Sequence, residues 1–162
     1  MALPPPPPPR PDSPPAEKVQ RDANEARVAA LRAELEATPD RARQAVLQYE
    51  IGYVFERKLK NDALAVKEYL SAYNLDPAFR PPLFALVRVF ERRRSFRNLA
   101  RLYEAEARSA QSPEEKASAT IDRAALLEDH LVEPQTVRAL LEEALAGDTA
   151  SLAASLMLER KL

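Results

Sequence analysis

His130 is the single imidazole of the chain, and it stands in Glu-Asp-His-Leu-Val-Glu, residues 128–133. Glu128, Asp129, His130 and Glu133 are the side chains whose types and spacing come nearest to a cation site. Zinc and the transition metals call for several imidazoles or thiolates, and with no cysteine the chain has no second soft ligand to offer. At the end of an expected helix the imidazole more simply caps carbonyls or faces water, and the acids form a solvated turn. Acid–base or nucleophilic catalysis needs a converging set of activated groups, and none is visible. Two glycines cannot build a phosphate-cradling loop. No catalytic residue, metal site, cofactor or small-molecule substrate is therefore expected.

Glu-Arg-Arg-Arg-Ser-Phe-Arg, from Glu91 to Arg97, offers a different chemistry. Guanidinium groups around an aromatic ring are suited to holding phosphates and stacking a base, which makes the basic patch from Arg88 to Arg101 a candidate nucleic-acid surface. The competing reading is a turn between two helices in which Phe96 packs inward. Seven arginines and one acid lie between Arg80 and Arg101, whereas eleven acids and four basic residues lie between Glu104 and Asp148. That acidic half and a sequence pI near 6.0 weigh against nucleic acid. The polarity is either the ordinary charge of solvated helix faces or a field that steers a charged partner or a second copy of the chain.

The elements that must position these groups are helices. The 162 residues are enough for one ordinary domain, and 46% hydrophobic content supports a core. Six per cent aromatic residues and two glycines argue against a sandwich or barrel. The absence of cysteine gives no sign of an oxidising compartment, so a cytoplasmic location is expected. Neither a signal peptide nor a membrane span is visible. Nine of the fifteen prolines fall within residues 1–15, so residues 1–16 form a proline-rich disordered tail outside the fold. It is either a spacer or, over residues 4–10, a ligand for a proline-reading domain, since Pro5, Pro8 and Arg10 fit a PxxPxR spacing. The remainder, 17–162, reads as helices near 17–37, 40–59, 62–75, 81–93, 96–110, 113–131, 134–146 and 149–161. Thr38-Pro39, Asp76-Pro77, Ser112-Pro113 and Glu133-Pro134 mark the breaks. In the first helix Val19, Ala23, Ala26, Ala30 and Leu31 lie on or near one face.

The stretch from Tyr49 to Pro77 recurs. A shift of 72 residues places Gly52 on Ala124, Phe55 on Leu127, Glu56 on Glu128, Leu59 on Leu131, Tyr69 on Leu141, Ala72 on Ala144 and Asp76 on Asp148. A middle copy carries Leu86, Val87 and Phe90, then Leu99, Tyr103 and Ala107. Small residues at fixed places let two helices approach, and large ones fill the groove beside them. On these residues the chain resembles the tetratricopeptide repeat family: Ile51-Gly52, Phe55, Ala65, Tyr69, Ala72 and Pro77 match the family's positions, with one extra residue near the turn from Lys60 to Leu64. The related half-a-repeat families are the alternative. The resemblance covers about 110 residues, from Arg41 to Thr149. Val87 stands where a small residue is expected, and the third copy ends at Gly147-Asp148-Thr149 without the closing proline.

The resemblance implies an all-α fold of stacked antiparallel hairpins, an α-solenoid of about three repeats with flanking helices. It also implies that the first helix of each hairpin lines a concave groove. The groove positions are Tyr49, Tyr53 and Arg57, then Phe84, Arg88 and Arg92, then Ile121, Ala125 and Asp129. Tyr49 and Tyr53 stand where a chaperone-tail carboxylate clamp carries Lys and Asn, so that ligand is not expected. The implied role is a non-catalytic protein-interaction scaffold holding an acidic or mixed-charge peptide against the Tyr/Arg strip. The alternative is an array element that assembles end to end. Residues 151–162 read as the first helix of a further hairpin, with Leu152, Leu156 and Leu158 in need of cover, so the chain either begins a longer array or buries this helix in an oligomer.

Overall fold

The structure, a computed structural model, describes residues 15–131, 134–148 and 151–159. Among the described residues every regular element is helical: α1 (Ala16–Ala37), α2 (Arg41–Tyr53), α3 (Asp62–Leu75), α4 (Pro81–Arg92), α5 (Phe96–Ser109), α6 (Pro113–Leu126), α7 (Pro134–Gly147) and α8 (Leu152–Glu159). Two π turns, Val54–Lys58 and Leu127–Leu131, prolong α2 and α6. The proline-rich tail lies, up to residue 14, outside the described residues. No helix among them is long and apolar enough to cross a membrane. The chain divides into two compact units, one up to Ala85 and one from Leu86, with the division inside α4.

In the first unit, α1 is rich in Ala, Glu and Arg, good helix formers, and ends where Pro39 cannot continue it. Thr38 Oγ1 donates back to the Glu34 carbonyl at 2.7 Å, and the Asp40 carboxylate accepts from the amides of Ala42 and Arg43 to open α2. So short a connection returns α2 along α1, and α2 then packs chiefly on α3. The face that α1 buries is not the expected one. Of that set only Leu31 is buried: Val19 is 51% exposed, and Ala23, Ala26 and Ala30 face solvent, while Asn24 and Val28 are buried in their place and Leu35 is half-buried. Alanine has little area to remove from water, so the two larger aliphatic side chains set the rotation. Ala45, Leu47, Ile51, Val54 and Phe55 meet Ala65, Tyr69, Ala72 and Tyr73 in the core.

At Gly52 the close approach is quantitative. A Cβ there would lie 2.6 and 2.7 Å from atoms of the Tyr69 ring. Only a residue without a side chain lets that ring lie on α2. Tyr69 is fully buried and its hydroxyl donates to Glu56 Oε2 at 2.8 Å, which accounts for a carboxylate only 3% exposed. A second inward acid, Glu68, is met by Arg32 of α1 at 2.7 Å.

In the second unit, α5 packs on α6, α6 on α7 and α7 on α8. Ser112 caps α6 by accepting from the Glu115 amide at 3.2 Å, and the Glu115 carboxylate accepts from the Gln111 amide at 2.9 Å, a near capping box displaced by one residue. Ala117, Ala124, Leu126 and Leu127 meet Val137, Leu140, Leu141 and Ala144. Arg123 of α6 reaches Glu104 of α5 at 3.2 Å, and Lys116 of α6 reaches Glu143 of α7 at 2.8 Å.

The two π turns explain an irregularity in the sequence spacing. After α4 the chain closes in a Schellman motif: Arg94 is left-handed at φ 53°, the Ser95 amide donates to the Phe90 carbonyl and the Arg94 amide to Glu91. After α2, Lys60 is left-handed at φ 54°, and the Asn61 amide donates to the Phe55 carbonyl in a ring one residue wider. Phe55 and Phe90 are 35 apart, while the left-handed residues Lys60 and Arg94 are 34 apart. The difference is the extra residue that the π turn holds. The first and third copies both contain a π turn, so their offset of 72 runs through both helices unchanged.

Candidate functional site

The six groove candidates differ in what they present. Tyr49 is half-buried: its ring lies 5.5 Å from that of Tyr69 and 5.7 Å, edge-on, from Phe79, so most of its surface is committed to packing. Tyr53, one turn later on α2, is 42% exposed. Arg57 follows inside the first π turn, exposed, with Nε 3.7 Å from the buried Glu56 carboxylate. Because the backbone ladder there is i→i−5, Arg57 is displaced around the helix axis from where an unbroken α-helix would hold it. Phe84, Arg88 and Arg92 follow one another at i, i+4 and i+8 along α4, hence on one face. Phe84 is 62% exposed, Arg88 half-buried and Arg92 exposed. In the third copy Ile121 and Ala125 are half-buried, and Asp129 is exposed in the second π turn.

Three features were not legible in the sequence. Glu56 and Glu68 lie inside the first unit, whereas acids on helices are ordinarily solvated; the match of Glu56 with Glu128 across 72 residues is the one signal that pointed to Glu56. A cavity of about 230 Å³ opens between α1 and the turn into α3, with Val28, Phe55, Leu59 and Leu64 as its apolar wall and Arg21 and Glu25 at the edge. In the second unit, His130 stacks on Phe96 with ring centroids 3.8 Å apart and planes inclined by 3°. Arg94 lies over the same Phe96 ring, its guanidinium carbon 5.8 Å from the centroid.

The imidazole is exposed and is one layer of a planar stack, placed there because the second π turn packs on α5; Glu133, the fourth side chain of the group with Glu128, Asp129 and His130, lies outside the described residues. Among the described residues no three acids, histidines or cysteines converge as metal ligands. On the neighbouring α5–α6 face, desolvation pushes Asp122 above the usual carboxylate range, and Tyr103 is raised first by burial and then by the nearby Asp122 and Glu91 charges. Asp122 remains solvent-accessible at its edge, so the effect is a local one. What these surfaces supply is exposed aromatic area and guanidinium charge.

The chain matches no protein-family model, no curated protein and no solved structure.

Proposed function

We propose that this chain is a non-catalytic, tetratricopeptide-like scaffold of the cytoplasm that holds an acidic or mixed-charge peptide segment of a partner protein on the first helices of its hairpins. The observation that carries the reading is the small-residue contact at Gly52, where a Cβ would meet the Tyr69 ring. Its counterpart pair, Ala124 and Leu141, is fully buried 72 residues on. Close helix–helix approach at repeated positions is what a stack of hairpins requires. Exposed Tyr53 and Phe84 supply anchors, and Arg57, Arg88 and Arg92 supply guanidinium groups for carboxylates; Tyr49 backs the strip from within the aromatic cluster.

The test is replacement of Arg57, Arg88 and Arg92 together by Ala, followed by affinity capture with the wild-type and altered chains. Helicity stays unchanged and at least one captured protein is lost; retention of every partner overturns the assignment. A second reading, self-assembly through α8, is favoured by Leu152 at 69% and Leu156 at 52% exposure. It predicts a concentration-dependent elution volume that disappears when residues 151–162 are removed. The proline tail, if it is a ligand, adds an interaction lost on tail deletion alone.

A further inference from the structure

Among the described residues exposed Arg27 and Arg41 each lack a carboxylate singly, but other arginines find one: Arg21, Arg32, Arg43, Arg57, Arg108, Arg123 and Arg138 each do. Four neighbours at the α4–α5 corner do not: Arg93, Arg94, Arg97 and Arg101 are exposed, and among the described residues none has a carboxylate oxygen within 4.0 Å. Arg97 and Arg101 are one turn apart on the same face of α5, and Arg93 and Arg94 occupy the turn that enters it. Four guanidinium groups held within nine residues repel one another unless an anion lies among them. The same corner carries the stack of His130 on Phe96 with Arg94 over the ring. His130, the outer layer of the stack, is exposed.

The geometry points to a binding site for a single-stranded nucleic acid at this corner, with Arg93, Arg94, Arg97 and Arg101 on the phosphates and the exposed imidazole continuing its stack into one base. The charge alone would accept any polyanion. The planar platform is what selects among them, since a duplex has no free base face and an acidic peptide has no ring to add. The second π turn is part of the device, because it is the segment that brings His130 onto Phe96.

The test uses the full chain and a fluorescein-labelled oligouridylate, read by anisotropy. For four phosphate contacts on a single strand, affinity falls about 50-fold between roughly 50 and 200 mM salt. Changing Arg93→Gln, Arg94→Asn, Arg97→Gln and Arg101→Gln removes that salt dependence; asparagine is chosen at 94 because it tolerates the left-handed backbone. The pair Arg97→Gln, Arg101→Gln, on the helix surface away from the turn, removes about half of it. His130→Ala weakens binding roughly tenfold with the salt dependence unchanged. A duplex of matched length binds less tightly than the single strand. Absence of oligouridylate binding at low salt overturns the proposal. So does displacement by polyglutamate of equal charge as readily as by unlabelled strand, which would mark the corner as a site for acidic peptide, or indifference to His130→Ala, which would leave a site that reads charge alone.

Discussion

Gly52 shows how much one side chain decides. The Tyr69 ring that a Cβ would strike at 2.6 Å cannot swing aside freely, since its hydroxyl is tied to Glu56. Gly52→Ala is expected to destabilise the chain by about 1–3 kcal/mol, the usual penalty for overpacking a close contact. Gly147→Ala serves as control. Its added Cβ meets nothing nearer than 4.0 Å, so helix propensity should raise stability by up to about 1 kcal/mol. Urea unfolding of the two variants reads both signs. Asp122 gives a pH-dependent counterpart. Its folded-state pKa lies above the ordinary 3.8, so the folded chain holds the proton more tightly than the unfolded one. The associated stability is present below the ordinary value and is lost as pH rises through the raised one. Asp122→Asn should flatten the fall in stability above about pH 4 and leave the protein more stable at neutral pH. An unchanged profile would show that desolvation at Asp122 has no energetic weight.

Among the elements, the π turns carry the sharpest expectation. An α-helix that gains one residue must either rotate everything beyond it by about 100° or absorb the residue in a bulge. Val54–Lys58 does the second, since the turn after it closes on the carbonyl of Phe55 just as the turn after α4 closes on that of Phe90. Deleting the exposed Lys58 should therefore convert the π turn to α-helix and preserve cooperative unfolding, with a loss below about 1.5 kcal/mol. Deleting Gln48 from the interior of α2 should abolish the cooperative transition, because Ile51, Val54 and Phe55 would turn out of the core. Calorimetric scans of the two deletions distinguish them. Equal damage from both would mean that the bulge is required by packing rather than tolerated by it.

For the whole chain, the proline-rich start is separable by chemistry. Six consecutive prolines, Pro4 to Pro9, lack amide donors and cannot enter a helix. Removing residues 1–14 is expected to change the free energy of unfolding by less than about 0.5 kcal/mol, the range for changes away from packed features. A fall of several degrees in Tm would instead mean that the prolines pack on the helices. The charge polarity belongs to the whole chain as well. Acids of α5 and α7 are partly spent on Lys116, Arg123 and Arg138 in ion pairs, whereas Arg93, Arg94, Arg97 and Arg101 have no carboxylate oxygen within 4.0 Å among the described residues.

The sequence by itself determined the all-helical architecture, eight helices bounded at Pro39, Pro77, Pro113 and Pro134, and the pairing of small with large residues at Gly52 and Tyr69. Those features follow from caps, proline geometry and helical period, which act within a few residues. The tertiary structure alone decided that Val28 rather than Val19 turns inward on α1, and that Glu56 is buried beneath a phenol thirteen residues away. It alone decided, too, that His130 lies flat on Phe96, 34 positions earlier. The reason is common to all three. Which side of a helix is inside, and which partner satisfies a polar group, depends on what another helix brings to the same place, and no local pattern in the chain carries that information.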